Sequence, residues 1–316
     1  MGAAVAGNIF YFDWEIDLIE WLQNTLGSVG KTIMQAFTLA GGEIFTLAVL
    51  LVIYFCYSKA TARRCSIPLM AATLWFPMVK NVVLRLRPYM AHPDRVAIWQ
   101  LAEKDAAPMD VVQQGYSFPS GHSAMSTALY GRLAWDVKKR WMGFLAVALP
   151  LLIGVSRFIV GAHYPTDVLA GWGIGLLALG FSALLEKYVK KEGTRLVILA
   201  LVTVPGVFWC NSRDYFSGLG SLIGLMIALP FEGHFVKFED TRNWKYMILR
   251  VLGAGILFFL IDKGLKMPFS REFLNSGTAM SFLVRTIRYI VVVFVIMALY
   301  PMCFRLFHRK EKAAKA

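Results

Sequence analysis

Long runs of apolar residues are the feature that most restricts the fold of this chain. Stretches of about eighteen or more mostly apolar residues recur, and each is long enough to cross about 30 Å of hydrocarbon as a helix. Hydrophobic residues make up 57% of the 316 residues and charged residues only 17%, whereas a soluble domain would show amphipathic helices or strands. Because backbone polar groups in lipid must satisfy one another, the sequence predicts an integral membrane protein built from helices.

The apolar runs predict about nine membrane-spanning helices, and hence an all-α, polytopic transmembrane helical bundle. The third, sixth and seventh runs are short, so their helices are expected to extend into polar flanking residues. The predicted spans are Lys31–Tyr57, Ile67–Leu86, Ser123–Trp135, Trp141–Val160, Val168–Leu185, Val197–Trp209, Leu219–Pro230, Tyr246–Leu265 and Phe282–Phe304.

Three polar stretches interrupt this apolar background, and together they supply three cations, two histidines and a carboxylate. They are KNVVLRLRP at 80–88, PSGH at 119–122 and SRFIVGAHYPTD at 156–167. A phosphoryl group in transfer spreads charge over its non-bridging oxygens, so a site for it needs cations and backbone N–H groups aimed at those oxygens. The three stretches therefore indicate phosphate chemistry.

Local spacing supports this interpretation in each stretch. Lys80 and Arg87 lie seven residues apart, close to two helical turns, which predicts one shared helix face about 10 Å long. Pro119 and Ser120 precede a predicted helix that begins at Ser123, and the first N–H groups of such a helix bind anions readily. Gly121 has no side chain that would obstruct a phosphate there. Pro165 suits the first turn of another helix, which places Asp167 near His163, where a carboxylate can fix the imidazole tautomer.

Taken in order, the stretches read K-x6-R-P, P-S-G-H and S-R-x5-H-x3-D, with every position filled. This is the tripartite signature of the type 2 phosphatidic acid phosphatase superfamily, which the chain closely resembles over Lys80–Asp167 and the flanking helices. The resemblance implies a lipid phosphatase that needs no metal and no other cofactor. The site residues that it implies are Lys80, Arg87, Ser120, Gly121, His122, Arg157, His163 and Asp167.

The same resemblance implies a role for each residue. His163 would attack phosphorus and form a phosphohistidine, and Asp167 would orient its ring. His122 would protonate the departing alcohol and later activate water. The phosphate would be held by Lys80, Arg87, Arg157 and the amides near Ser120 and Gly121.

Each stretch taken alone has a simpler structural explanation. Basic side chains that snorkel to the membrane interface would explain Arg85 and Arg87 better than the more deeply placed Lys80. His122 alone could be a solvated histidine at a capped helix. Arg157 alone could be interfacial, with His163 and Asp167 as a local capping pair. The occurrence of all three stretches in order favours the catalytic interpretation.

Alternate loops carry most of the lysine and arginine, and cytoplasmic loops are enriched in these residues. The basic loops contain Lys59, Arg63, Arg64, then Lys138, Lys139, Arg140, then Lys187, Lys190, Lys191, Arg195, then Lys237, Arg242, Lys245, and the tail contains Arg305, Arg309, Lys310, Lys312 and Lys315. This pattern predicts a cytoplasmic C-terminus and an extracytoplasmic active site, in the plasma membrane or, for a eukaryotic protein, the endoplasmic reticulum. The same bias accounts for the net charge of +13. It favours anionic lipid at the inner membrane surface, rather than nucleic acid, as the partner of these basic residues.

Acidic residues mark the N-terminal segment Phe10–Leu26, where they alternate with apolar ones. Four carboxylates would be costly at mid-bilayer, so a helix lying in the interface is favoured over a first crossing. The acids are Asp13, Glu15, Asp17 and Glu20. The predicted division is an interfacial segment (1–30), a phosphatase core with the three motifs (31–190), and additional transmembrane helices with a basic tail (191–316).

About four of the predicted spans follow Leu185 and carry no second motif set. This length, with Gly41-Gly42-Glu43 inside the first span, is more similar to the sphingosine-phosphate phosphatase and glucose-6-phosphatase branches than to six-span lipid phosphatases. The sequence leaves open whether the extra spans form a homodimer surface, a lateral lipid entrance or an enlarged fold. The long loop Tyr89–Phe118 is expected to select the substrate through Trp99, Leu101 and Met109.

These features together favour a metal-independent phosphatase that acts on a lipid phosphate monoester or diphosphate. Its expected partners are an amphiphilic phosphate substrate and membrane lipid. A lipid phosphotransferase would use the same phosphohistidine with an acceptor other than water. A vanadium-dependent haloperoxidase resembles the same site, but such enzymes are soluble. A non-catalytic scaffold or transporter would give no reason for a complete catalytic set.

Overall fold

The computed structural model of the chain describes residues 7–304, which are helical apart from turns, loops and one isolated β-bridge. The predicted all-α class is confirmed for this part of the chain. Its α-helices are α1 (Asp13–Ala40), α2 (Glu43–Val52), α3 (Lys59–Val83), α4 (Pro88–Ala91), α5 (Val111–Gln114), α6 (Gly121–Val137), α7 (Arg140–Ile159), α8 (Pro165–Tyr188), α9 (Glu192–Thr203), α10 (Arg213–Phe231), α11 (Trp244–Lys266), α12 (Arg271–Asn275) and α13 (Ala279–Phe294). Short π or 3-10 turns prolong some of them, at Ile53–Tyr57, Val204–Phe208, Glu232–Val236, Val295–Leu299 and Tyr300–Cys303.

Several helices are long and apolar enough to cross a membrane, and the chain is an integral membrane protein. Among residues 7–304 five helices meet this criterion, and the bent pair α1–α2 would make a sixth. The predicted count of nine is not confirmed: α6 has only 17 residues and α9 only 12, and α11, although 23 residues long, does not meet the criterion. The five are Lys59–Val83, Arg140–Ile159, Pro165–Tyr188, Arg213–Val236 and Ala279–Cys303.

Helix α6 lies at the centre of the first half and packs against α3, α7 and α8. In the second half, α10 and α13 pack along each other, and α10 also packs on α3. The apolar side chains of both halves form one core, in which Leu74 of α3 and Leu222 of α10 are completely buried. The two halves of the bundle therefore share one continuous hydrophobic core.

The basic loops meet at one end of the bundle, where acidic residues pair with them. Lys59 donates to Glu232 at 2.7 Å, Arg64 donates to Asp136 at 2.9 Å, and Arg63 pairs with Glu192. The signature residues lie at the opposite ends of the same helices, since α3 begins at Lys59 and carries Lys80 in its last turn. The basic tail predicted to be cytoplasmic, residues 305–316, lies outside the described residues.

The first predicted span, Lys31–Tyr57, is not one continuous helix, so this prediction is wrong. Helix α1 runs from Asp13 to Ala40 with a kink at Gly27, whose φ of 56° is in the left-handed region that favours glycine. The chain then bends by 54° at Gly41 and Gly42 before α2 begins. The interfacial position of residues 1–30 stays a prediction, but Glu15 in this segment is completely buried.

Candidate active site

The first signature segment does not form a single helix, contrary to the prediction for Lys80 and Arg87. Helix α3 ends at Val83 because Leu84 adopts a left-handed conformation with φ of 55°. After this turn, Arg85 forms a parallel β-bridge with Asn8. Arg87 is extended, with ψ of 152°, as expected for a residue that precedes proline. Lys80 thus projects from a helix and Arg87 from the extended segment after it.

Arg87 is fixed by backbone carbonyl groups of two other segments. Its Nη1 donates to the oxygen of Ala162 at 2.9 Å, and its Nη2 donates to the oxygen of Gln114 at 2.7 Å. Its Nε donates to the oxygen of Gly115 at 2.9 Å. These bonds join the first signature segment to the third and hold the guanidinium in one orientation.

The second signature segment forms the start of α6, as predicted. Ser120 is the N-cap residue, and its Oγ accepts a hydrogen bond from the amide of Ser123. A side chain at Gly121 would collide with Phe76, because a Cβ there would lie 2.8 Å from the ring. Lys80 Nζ lies 5.2 Å from the centroid of the same ring, so Phe76 packs close to both the lysine and the start of α6.

Arg157 lies in the last turn of α7, as predicted, and only 4% of it is exposed. Its side chain forms no hydrogen bond or ion pair with any residue in 7–304, and its Nε is completely buried. Leaving a guanidinium without an acceptor away from water costs considerable free energy unless an anion binds there. Arg157 is therefore a candidate anion-binding residue.

His163 and Asp167 lie on either side of the start of α8. The His163 Nδ1 is 3.4 Å from Asp167 Oδ2, and no hydrogen bond joins these two atoms. Asp167 Oδ2 instead accepts from the amide of Tyr164 at 2.8 Å and from the hydroxyl of Ser117. The expected orientation of His163 by Asp167 therefore stays a prediction.

Asp167 has a further partner in Arg85, whose Nη1 donates to Asp167 Oδ1 at 2.6 Å. Arg85 is 1% exposed and does not snorkel to an interface, so that alternative is wrong for this residue. The backbone of Asp167 also reaches the second signature segment, because its carbonyl accepts from the amide of Ser120 at 3.0 Å. The three segments are thus directly bonded to one another.

The cations act together on His163. Burial lowers the pKa of this imidazole well below its ordinary value, and the surrounding positive charges lower it further. Those charges belong to Arg87, Arg157 and Lys80. The imidazole is therefore neutral at physiological pH, which is the form that can act as a nucleophile.

His122 faces the break between α1 and α2. A Cβ at Gly41 would lie 3.2 Å from His122 Cδ2, and one at Gly42 would lie 3.8 Å from His122 Nε2. The glycine pair therefore leaves space beside this imidazole. The charges of Arg157 and His163 act on His122, so the two histidines and this arginine lie close together.

Family models match two parts of the chain. Residues 54–191 match the PAP2 superfamily, and residues 216–312 match the transmembrane extension of PAP2 superfamily phosphatases. The two matched segments together cover most of the sequence. The chain belongs to the PAP2 superfamily.

Curated PAP2 relatives resemble the chain over limited segments. Phosphatidylglycerophosphatase B of Bacillus subtilis is 32% identical over 100 residues, which are 28% of this chain and 49% of that protein. Undecaprenyl-diphosphatase of Sulfolobus acidocaldarius is 43% identical over 61 residues, 19% of this chain and 29% of that protein. Probable lipid phosphate phosphatase 4 of Arabidopsis thaliana is 33% identical over 126 residues, 34% of this chain and 41% of that protein. The chain thus spans about half or less of the length of these relatives, and no solved structure matches it.

Sequence reasoning missed three residues around the PAP2 signature. Arg85 lies inside the first segment, Ser117 lies just before the second, and Glu15 lies about 65 residues before the first. Glu15 accepts from Arg85 Nη2 at 2.9 Å, so it belongs to the same buried network as Asp167. The acidic pattern of the N-terminal segment was the available signal, but it does not distinguish one buried carboxylate from its exposed neighbours.

Proposed function

We propose that the chain is a metal-independent membrane phosphatase that hydrolyses a lipid phosphate monoester or diphosphate through a phosphohistidine. The observation that carries this proposal is the buried, unpartnered guanidinium of Arg157 beside two histidines. Lys80 is 5% exposed and likewise has no hydrogen bond or ion pair with the described residues. These cations would supply the positive charge that a phosphoryl transition state requires, without a metal ion.

The reaction follows from the arrangement of these groups. The neutral His163 would attack phosphorus while the bond from phosphorus to the leaving oxygen breaks. His122, which would become protonated once the anionic phosphate binds beside it, would give its proton to that oxygen. Lys80, Arg87, Arg157 and the first amides of α6, near Ser120 and Gly121, would hold the non-bridging oxygens. Neutral His122 would then take a proton from water as it attacks the phosphohistidine, which releases inorganic phosphate and restores His163.

A cavity of about 400 Å³ is a candidate place for the apolar part of the substrate. It lies between α1 and the loop that precedes α5, and Trp99 and Leu101 line it, whereas Met109 does not. Leu39 on its wall is two residues before Gly41, which faces His122. A lipid in this cavity would have its phosphate end near the leaving-group acid.

The decisive experiment measures inorganic phosphate release by the purified protein in detergent, with a chelator present, against a panel of lipid phosphates. We expect His163→Ala to reduce turnover by about 10³-fold or more, because the nucleophile is lost. His234→Ala is the matched control, since His234 is exposed at the opposite end of the bundle. Equal activity of both variants would refute the proposed mechanism.

The panel also tests the cavity. We expect Trp99→Ala to raise KM for a long-chain phosphate by a few-fold and to leave turnover of a short, soluble phosphate ester unchanged, because only the long chain reaches the cavity. An equal change for both substrates would show that Trp99 does not select the chain.

The sidedness is part of the proposal, and the positive-inside bias of the loops at Lys59 to Arg64 and at 138–140 supports it. We expect a cysteine introduced in the loop before α5 to react with an impermeant reagent added outside cells. A cysteine introduced near Lys139 should react only after permeabilisation. The opposite result would place the active site on the cytoplasmic side.

A lipid phosphotransferase would use the same residues and pass the phosphoryl group to an acceptor other than water. The site residues do not distinguish the two, because both reactions form the same phosphohistidine. Product analysis does, since a transferase would consume the lipid phosphate without releasing inorganic phosphate and would require an added alcohol acceptor.

A further inference from the structure

Among the three buried arginines near the site, and as far as residues 7–304 show, only Arg85 pairs with carboxylates, those of Glu15 and Asp167. We propose that Arg85 and Glu15 form a positioning pair that fixes Asp167, and through it His163, before the substrate binds. The inference rests on the proposed phosphatase function and adds to it a residue of the N-terminal segment, which lies outside the matched family segments.

Four of the five N–H groups of the Arg85 guanidinium donate to protein acceptors. Its Nη1 donates to Asp167 Oδ1 at 2.6 Å and to Thr166 Oγ1 at 2.8 Å. Its Nη2 donates to Glu15 Oε2 at 2.9 Å, and its Nε donates to the oxygen of Phe10 at 2.8 Å. The guanidinium also lies over the ring of Tyr164, 3.7 Å from its centroid. It therefore has a fixed place and little capacity left for a ligand.

Each carboxylate oxygen of Glu15 accepts two hydrogen bonds. The donors belong to the first turn of α8, to the first signature segment and to the N-terminal segment itself. Its Oε1 accepts from the amide of Thr166 at 3.0 Å and from the hydroxyl of Thr166 at 2.7 Å. Its Oε2 accepts from Arg85 and from the amide of Phe12 at 3.0 Å. Glu15 therefore holds the first turn of α8, which contains Asp167, against the end of the first signature segment.

A short backbone contact fixes this arrangement from the other side. The amide of Asn8 donates to the oxygen of Leu84 at 2.8 Å, and the amide of Leu86 donates to the oxygen of Asn8 at 2.9 Å. These bonds flank Arg85 and satisfy the extended segment after α3. Asn8 thus fixes the backbone on both sides of Arg85, and Glu15 fixes the position of its guanidinium group.

The consequence for chemistry is a carboxylate with a single allowed orientation. Arg85 takes one oxygen of Asp167, while Ser117 and the amide of Tyr164 take the other. The second oxygen is the one that lies 3.4 Å from His163 Nδ1. Because Arg85 and Glu15 touch neither the substrate cations nor either histidine, they should affect the attack step much more than phosphate binding.

The test uses Glu15→Gln, Arg85→Lys and the milder Thr166→Val in the full-length protein. We expect kcat for a soluble phosphate ester to fall by about 10- to 100-fold in the first two variants and by about 3-fold in the third. KM and competitive inhibition by inorganic phosphate should stay within about twofold, because Lys80, Arg87 and Arg157 are unchanged. The rate of phosphoenzyme formation in a single turnover should fall by the same factor as kcat.

Arg95→Gln is the matched control. Arg95 pairs with Asp17 at 2.8 Å and with Glu20, so it joins the same two parts of the chain on the exposed surface. Such a pair contributes little, and we expect wild-type kcat. The double variant Glu15→Gln/Arg85→Lys should be no slower than the slower single variant, because groups that act as one unit are not additive.

The outcomes separate this inference from the proposed function. An inactive wild-type protein that binds no phosphate would refute the proposed function itself. An active wild type with folded Glu15→Gln and Arg85→Lys variants whose kcat is within twofold of wild type would overturn the positioning role alone. A parallel loss of phosphate affinity and kcat would also overturn it, since that would indicate general damage. Where a charge variant does not fold, Thr166→Val decides by the same kcat and KM criteria.

Discussion

The first half of the bundle and its C-terminal extension both bury arginine among apolar helices, but they supply different partners for it. In the first half, Arg157 of α7 has no hydrogen bond or ion pair with the described residues. In the extension, Arg288 of α13 is equally buried but pairs with Asp262 of α11, which also accepts from Lys266 at 2.5 Å. A buried cation that pairs with a protein carboxylate has a structural role, whereas a buried cation without such a partner is available to an anionic ligand.

The same comparison applies within the first signature segment. Arg85 and Arg87 are two residues apart and both are buried, yet Arg85 bonds to carboxylates and Arg87 to backbone carbonyls. A carboxylate neutralises the guanidinium, while a carbonyl orients it and leaves its charge for a phosphate. Residue type and burial alone therefore do not distinguish a positioning arginine from a binding arginine; its partners do.

The largest expected effect comes from exchanging the two unlike arginines for methionine. Arg157→Met should lower kcat/KM by about 10²- to 10³-fold, because an electrostatic contact to the transition state is lost. Its thermal unfolding midpoint in detergent should stay equal or rise, since an unpartnered buried charge is removed. Arg288→Met should keep the activity and lower stability by about 1–3 kcal/mol, because Asp262 loses a partner.

Phosphate-release assays and thermal unfolding of the two purified variants make this comparison directly. If Arg157→Met kept its activity but unfolded at lower temperature, Arg157 would be a structural residue and the contrast between the two halves would fail.

Alanine substitutions at two closely packed glycines, one in each half of the bundle, test the same comparison, and their expected effects are smaller. A Cβ at Gly171 of α8 would lie 2.5 Å from the carbonyl oxygen of Ser120, whereas one at Gly224 of α10 would lie 2.8 Å from Val293 Cβ. Gly171→Ala should displace the start of α6 and reduce kcat by about 10-fold. Gly224→Ala should lower only the unfolding midpoint, because overpacking costs about 1–3 kcal/mol. A catalytic loss in Gly224→Ala as large as in Gly171→Ala would contradict this division.

The smallest effect is a shift in pH dependence. Burial and neighbouring cations lower the pKa of His163, so its neutral form persists to a more acidic pH than for an ordinary histidine. Removing one cation weakens the repulsion of the imidazolium and raises this pKa. The acid limb of the kcat/KM profile should therefore move to higher pH in Lys80→Met, by up to about one unit, on top of a lower overall rate.

The profile of Arg95→Gln provides the control, because this exposed arginine is not among the charges that act on His163. An acid limb that is unchanged or lower in Lys80→Met would show that the lysine does not contribute to the electrostatic field at the nucleophile.

Local sequence patterns predicted the parts of the site that depend on neighbouring residues. Ser120 caps α6, Pro165 starts α8, Asp167 lies in its first turn and Arg157 lies in the last turn of α7. The prediction of one helix through Lys80 and Arg87 was wrong, because the turn at Leu84 depends on pairing with Asn8, more than 70 residues away. The count of nine spans is not confirmed, and hydropathy by itself does not separate a short buried helix such as α6 from a lipid-exposed one.

The sequence by itself determined the membrane environment, the helical class and the order of the signature residues, because apolar length, helix caps and residue chemistry act over a few turns. Only the tertiary structure decided which charges are neutralised. The acidic pattern at 13–20 looks uniform, yet Glu15 is buried against Arg85 while Asp17 is exposed. The physical reason is that the free energy of a buried charge depends on the group packed against it, and that group comes from a distant part of the chain.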